Sequence, residues 1–153
     1  MEGLSVEPLC VAAFRADPAS GELLRLYGEE CALAGLPAPC PDYDTYAVME
    51  QSGALRLIGA RYAGALIGFC CLLAYRNPHY SQQLAVTESL FVAAPYRNTG
   101  AGLALLREAE RLAREAGALA LFVSAPAGGA LQRVLSAHRE WRHSNVAFVR
   151  GLR

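Results

Sequence analysis

The residues best suited to chemistry lie between Leu90 and Gly102. They run Leu90-Phe91-Val92-Ala93-Ala94-Pro95-Tyr96-Arg97-Asn98-Thr99-Gly100-Ala101-Gly102. The pattern predicts a strand, a tight turn and the start of a helix. Backbone N–H groups at a helix start have no intrahelical acceptor, and the helix dipole favours an anion there. Gly100 and Gly102 let a ligand approach the backbone closely. Arg97 adds a fixed charge with planar donors. The turn therefore reads as a cradle for a phosphate or pyrophosphate.

Two common nucleotide loops fail at the residue level. A P-loop needs a Lys after its second Gly, and all 14 basic residues of this chain are Arg. A dinucleotide-binding turn needs G-x-G-x-x-G, and Leu105 stands where the third Gly belongs. The absence of Lys also removes Schiff-base chemistry.

Composition sets the frame. The chain has 153 residues, of which 54% are hydrophobic and 18% charged, the balance of a globular protein and not of a disordered one. The length suits one domain over 1–153 with a sizeable core. The 14 acidic residues cancel the 14 basic ones, which argues against nucleic acid as a partner. Five cysteines (Cys10, Cys31, Cys40, Cys70, Cys71) form no C-x-x-C pair, so neither a disulfide framework nor a metal site is expected. The N-terminus has no signal-peptide pattern. No apolar run reaches the roughly 18 residues a membrane span needs. A cytoplasmic protein without a membrane partner is expected.

The elements that must position the turn follow from the patterning. A short first strand is expected within Leu4–Phe14. A helix follows, with Ser20 as N-cap and a stripe of Leu23, Leu26, Tyr27, Cys31 and Ala34, stopped by Gly35 and Pro37. The Pro-rich segment 35–42 reads as a lid, and Asp42 as the cap of a second short helix. From Ala54 the pattern becomes a hairpin turning at Ala63-Gly64, whose second strand is a near-continuous apolar run to Tyr75. Leu84–Val92 is the next strand. After Gly100, Leu105, Leu106, Ala109, Leu112, Ala113 and Ala116 form one helical face, with Glu110 and Arg114 paired at i, i+4. A buried strand over Ala118–Ser124, a helix around Leu131–His138 and a last strand over Asn145–Leu152 complete the order. This is an α+β domain with a mixed, mostly antiparallel sheet flanked by helices.

Arg97-x-x-Gly100-x-Gly102 after Leu90-x-Val92 resembles the motif [Q/R]-x-x-G-x-[G/A] of the Gcn5-related N-acetyltransferase (GNAT) family, and the element order is similar over most of the chain. The resemblance implies a transferase passing an acetyl group from acetyl-CoA to a primary amine, of a small molecule or a protein, directly in a ternary complex. It implies that the turn Arg97, Asn98, Thr99, Gly100, Ala101 and Gly102 holds the pyrophosphate. It also implies that Leu90, Phe91 and Val92 pair with the pantetheine arm, one N–H polarising the thioester carbonyl. No metal is implied, and a homodimer is compatible with the family.

An alkylammonium has a pKa of about 10, so a base is required. Glu88 is the candidate; as a residue two before Leu90 it is expected on the same strand face. The family's general-acid Tyr is not matched. Counting back from Trp141, its position is Ser136, and the neighbouring Gly position is Glu140. Either the thiolate leaves without a protein acid, or the chain is a non-catalytic acyl-CoA-binding or interaction module. Tyr43, Tyr46, Tyr75 and Tyr80 fall in segments that border the acceptor cleft in the family.

Overall fold

In the computed structural model, which describes residues 3–31, 33 and 35–152, the elements that carry the sheet are β1 (Leu4–Leu9), β2 (Leu55–Tyr62), β3 (Ala65–Asn77), β4 (Gln82–Val92) and β5 (Leu121–Val123). They lie in that order across one sheet. β1 through β4 pair antiparallel and β5 joins β4 in parallel. Among the described residues three helices precede the hairpin: α1 (Val11–Ala16), α2 (Ser20–Cys31) and α3 (Tyr43–Gln51). A 3-10 helix (Ala94–Thr99) leads into α4 (Ala101–Glu115), and α5 (Ala130–Ala137) follows β5.

Both faces of the sheet are covered, which explains why β3 reads as an unbroken apolar run. On one face Leu105, Ala109, Leu112 and Ala113 of α4 pack on Ile58, Ile67, Cys70 and Leu72. On the other, Val11 and Phe14 of α1 and Leu23 of α2 pack on Leu57, Phe69, Cys71 and Phe91. The β2–β3 turn has positive φ at both Ala63 and Gly64, the conformation whose twist suits a two-residue hairpin. The Glu110–Arg114 pair forms at 3.4 Å along α4.

Four expectations change. The first strand stops at Leu9, because Cys10 turns the chain: its Sγ accepts from Ala13 N–H and opens α1. Ser20 does not cap α2 but lies buried in its first turn, its hydroxyl donating to Asp17 O. Asp17 takes the turn instead, accepting from Ala19 N–H at 3.0 Å. The strand expected over Ala118–Ser124 shortens to Leu121–Val123. Asn145–Leu152 forms no strand: Phe148 and Leu152 are 94% and 90% exposed. Its alternation of apolar residues is real, but β5 offers an edge of only three residues, too short to template another strand. Ala34, the last residue expected in the α2 stripe, lies outside the described residues.

Candidate active site

The site is built around an irregularity in β4. Cys71 of β3 pairs with Ser89, but the next residue, Leu72, pairs with Thr87. Glu88 is thus the extra residue of a β-bulge, and the parallel ladder to β5 also ends there, at Thr87–Val123. Beyond the bulge, β4 continues to Val92 without a strand partner on its β5 side among the described residues.

The bulge overturns one expectation. A bulge resets the strict alternation of a strand, so Glu88 and Ser89 both face the α1–α3 layer, where they line the same cavity. Leu90 packs instead toward α4, so Glu88 and Leu90 are on opposite faces. Their functional groups still converge on one place. Ala93 N–H donates to Ile67 O at 2.9 Å, in register with the Phe91–Phe69 and Ser89–Cys71 pairs. Antiparallel alternation then turns the N–H and C=O of Leu90 and Val92 to the unpaired edge. Val92 O is taken by Arg97 Nε at 3.0 Å. The Leu90 N–H faces the gap where β5 no longer pairs.

The turn that follows fits an anion. Gly100 adopts a left-handed conformation, φ 85°, and joins the 3-10 helix to α4. The first bond of the α4 ladder runs from Ala104 N–H to Gly100 O, so the N–H groups of Ala101, Gly102 and Leu103 precede it. Ala101 N–H has only a long bond, 3.4 Å, to Thr99 Oγ1. No acidic residue lies in the first turn of α4. A Cβ added at Gly102 would meet nothing within 4 Å, so the approach to these amides is open. These residues suit a pyrophosphate.

Arg97 is placed differently from a free anion clamp. Besides Val92 O, its guanidinium pairs with Glu30 of α2 and lies over the Phe91 ring, 5.6 Å from the centroid. It fastens the turn to β4 and α2, leaving Nη1 without a protein partner among the described residues.

Glu88 looks into a cavity of about 320 Å³. Tyr27 and Leu24 of α2, Phe14 of α1 and Tyr46 of α3 wall it, with Phe69 and Cys71 of β3 as its floor. The segment read as a lid supplies Pro39, Cys40 and Pro41, and Asp42 stands beside them while capping α3 through Thr45. Burial, and then the Glu88 carboxylate, push the phenols of Tyr27 and Tyr46 above their ordinary value of 10.0. Both phenols stay neutral at physiological pH. Burial and then Glu88 likewise raise the Cys71 thiol, so it is not a thiolate nucleophile.

Of the tyrosines singled out by sequence, Tyr46 reaches this cavity. Tyr43 lies under the Arg15 guanidinium, while Tyr75 and Tyr80 are exposed and take no part in its walls. Tyr27, Phe14 and Phe69 were legible only as core residues. Ser136, at the unmatched acid position, bonds the His143 ring at 3.0 Å.

Residues 22–136 match the Acetyltransferase (GNAT) family, and the chain belongs to it; it is an acetyltransferase. Solved structures share the fold. One is an aminoglycoside acetyltransferase from an uncultured soil metagenomic sample, in complex with sisomicin: TM-score 0.73, 19% identity, covering 98% of this chain and 97% of that one. Glucosamine-6-phosphate N-acetyltransferase from Arabidopsis thaliana gives 0.72 at 10% identity, covering 99% and 100%. Ribosomal-protein-alanine N-acetyltransferase from Brucella melitensis gives 0.66 at 20% identity, covering 96% and 100%. The chain finds no significant match among curated proteins. No described helix is long and apolar enough to cross a membrane.

Proposed function

We propose that this chain is an N-acetyltransferase that takes its acetyl group from acetyl-CoA and passes it to a primary amine bound in the Glu88 cavity. The observation that carries the reading is the bulge at Glu88. In one residue it ends the β4–β5 ladder, exposes the Leu90 N–H, and turns a carboxylate into the cavity beside that edge.

Acetyl-CoA supplies a thioester from which the acetyl passes directly to the amine, the amide C–N bond forming as the C–S bond breaks and CoA leaves as its thiolate. The N–H groups of Ala101, Gly102 and Leu103 would hold the pyrophosphate, aided by the α4 dipole. Arg97, Asn98, Thr99 and Gly100 shape that turn. The strand Leu90-Phe91-Val92 offers its free edge to the extended arm, and Leu90 N–H is the donor for the carbonyl oxygen as charge develops on it. Glu88 accepts a proton from the incoming ammonium, directly or through one water, and so frees the nitrogen lone pair. The nitrogen's second proton, lost as the amide forms, passes to solvent, and with Ser136 in place of a tyrosine the thiolate takes its proton from solvent.

Glu88→Gln keeps the shape and removes the base. It should lower kcat by about 10²–10⁴-fold and leave acetyl-CoA affinity within error. Stopped-time thiol-release assays beside calorimetric titration separate the two. Wild-type kcat across the pH range would remove Glu88 from the mechanism. Acetyl-CoA binding without thiol release from any amine would favour the non-catalytic reading.

A further inference from the structure

We infer that the acceptor is a small monocationic amine with an apolar, preferably aryl, body, an inference that rests on the proposed acetyl transfer at Glu88. The cavity walls carry it. Its charged lining is two carboxylates, Glu88 and Asp42; among the described residues no Arg or His lines it. Arg97 is engaged with Glu30 and Val92 O, and Arg15 lies over the outer Tyr43 ring. A phosphorylated or carboxylated acceptor would find no countercharge there and would meet two like charges.

The remaining surface is mostly aromatic and aliphatic, with the Ser89 hydroxyl, the phenols of Tyr27 and Tyr46 and two cysteines among it. Tyr27 sits edge-on to both Phe69 and Phe91, 5.8 and 5.9 Å between centroids, and Phe14 meets Phe69 at 5.4 Å. These rings interlock, so the wall is preformed. An ammonium near Glu88 and beside the tyrosine rings gains from the carboxylate and from cation–π attraction. The rest of the molecule must then fill an apolar space. A polycationic sugar fits badly: beyond the reach of the two carboxylates, Ser89 and the two phenols, its further hydroxyls and ammoniums would lose water against Phe14, Leu24 and Phe69. The volume, about 320 Å³, stands at the small end of ligand cavities, ~300–1,000 Å³. It suits a single ring on a short aminoalkyl chain.

The test is a panel of phenethylamine, butylamine, glucosamine 6-phosphate, sisomicin and an alanine-terminated peptide, read by thiol release with acetyl-CoA and by calorimetry of each amine without it. Phenethylamine is expected to give the highest kcat/KM, by about tenfold or more over the sugar phosphate, the polyamine and the peptide, and to bind in the absence of donor. Tyr46→Ala should raise its KM roughly tenfold, the order of one lost aromatic contact, whereas Tyr46→Phe, which keeps the ring, should restore it. Preference for any of the three polar acceptors overturns the inference, as does acetyl-CoA binding with neither turnover nor binding of phenethylamine. The panel is free of variants, so a misfolded Tyr46→Ala does not weaken it. Failure of acetyl-CoA to bind would instead defeat the donor reading, and calorimetry of the amines would still decide the cavity's preference.

Discussion

At the residue scale, the two glycines of the turn are not equivalent. Gly100 has φ 85°, a conformation that costs an L-residue roughly 1–2 kcal/mol. Gly102 is helical, with open space where a Cβ would point. Gly100→Ala should therefore lower Tm and weaken acetyl-CoA binding together. Gly102→Ala should raise stability by up to about 1 kcal/mol through helix propensity and leave binding intact. Thermal denaturation with calorimetry on both variants checks this; equal behaviour would contradict the assigned roles. This distinction was partly legible in the sequence, because glycine spacing after a strand signals a turn whatever the surroundings. Glu88 was legible as a candidate but its orientation was not. Nothing in Thr87-Glu88-Ser89 marks a bulge: no Gly or Pro interrupts the strand, and the irregularity shows only in the pairing with β3. Likewise the partners that commit Arg97, Glu30 and Val92 O, are visible only once α2 is folded against the turn.

At the element scale, the long amphipathic α4 and the hairpin were readable because each pattern repeats over many residues. α1 was not: at six residues it shows less than two turns of periodicity, and an unusual cysteine starts it. The N-terminal helices matter to the site because they form one side of the Glu88 cavity. Their anchor is Asp17, between α1 and α2, which binds Arg61 of β2 at 2.8 Å while Arg61 also reaches Glu7 of β1. Burial works to raise the Asp17 carboxyl's pKa, but the Ala19 N–H bond and the Arg61 guanidinium outweigh it, and the net direction is down from 3.8. A lowered carboxylate pKa stabilises the fold above the unfolded value, and that contribution is lost as pH falls through the folded one. Asp17→Asn is thus expected to lower Tm at pH 7 by ~2–4 °C, the equivalent of about 1 kcal/mol in a domain of this size. The gap to wild type should close as pH falls below 3.8, the ordinary value. A pH series of melting curves reads it directly, and a gap that stays constant with pH would assign the loss to packing.

At the scale of the whole molecule, the proposed reaction divides its two halves between different features of the sheet. Its donor side would be the β4 edge and the start of α4, and its acceptor side the layer of α1, α2 and α3 with the 39–42 segment. The bulge is where they meet, since it turns Glu88 toward one and frees Leu90 for the other. The aromatic cavity could not be read from the chain beforehand, because its walls come from α1, α2, α3, β2, β3 and β4, spread from Phe14 to Ser89, and each is explicable alone as core. The central claim, that the β4 edge and the α4 N-terminus bind acetyl-CoA, is tested most directly by amide chemical shifts during titration. The account predicts that acetyl-CoA moves the N–H signals of Leu90 and of Gly100 through Leu103 most, and leaves β1 nearly still. No saturable shift at these amides, or a response centred elsewhere, such as the Arg56–Arg111 cleft between β2 and α4, would contradict it.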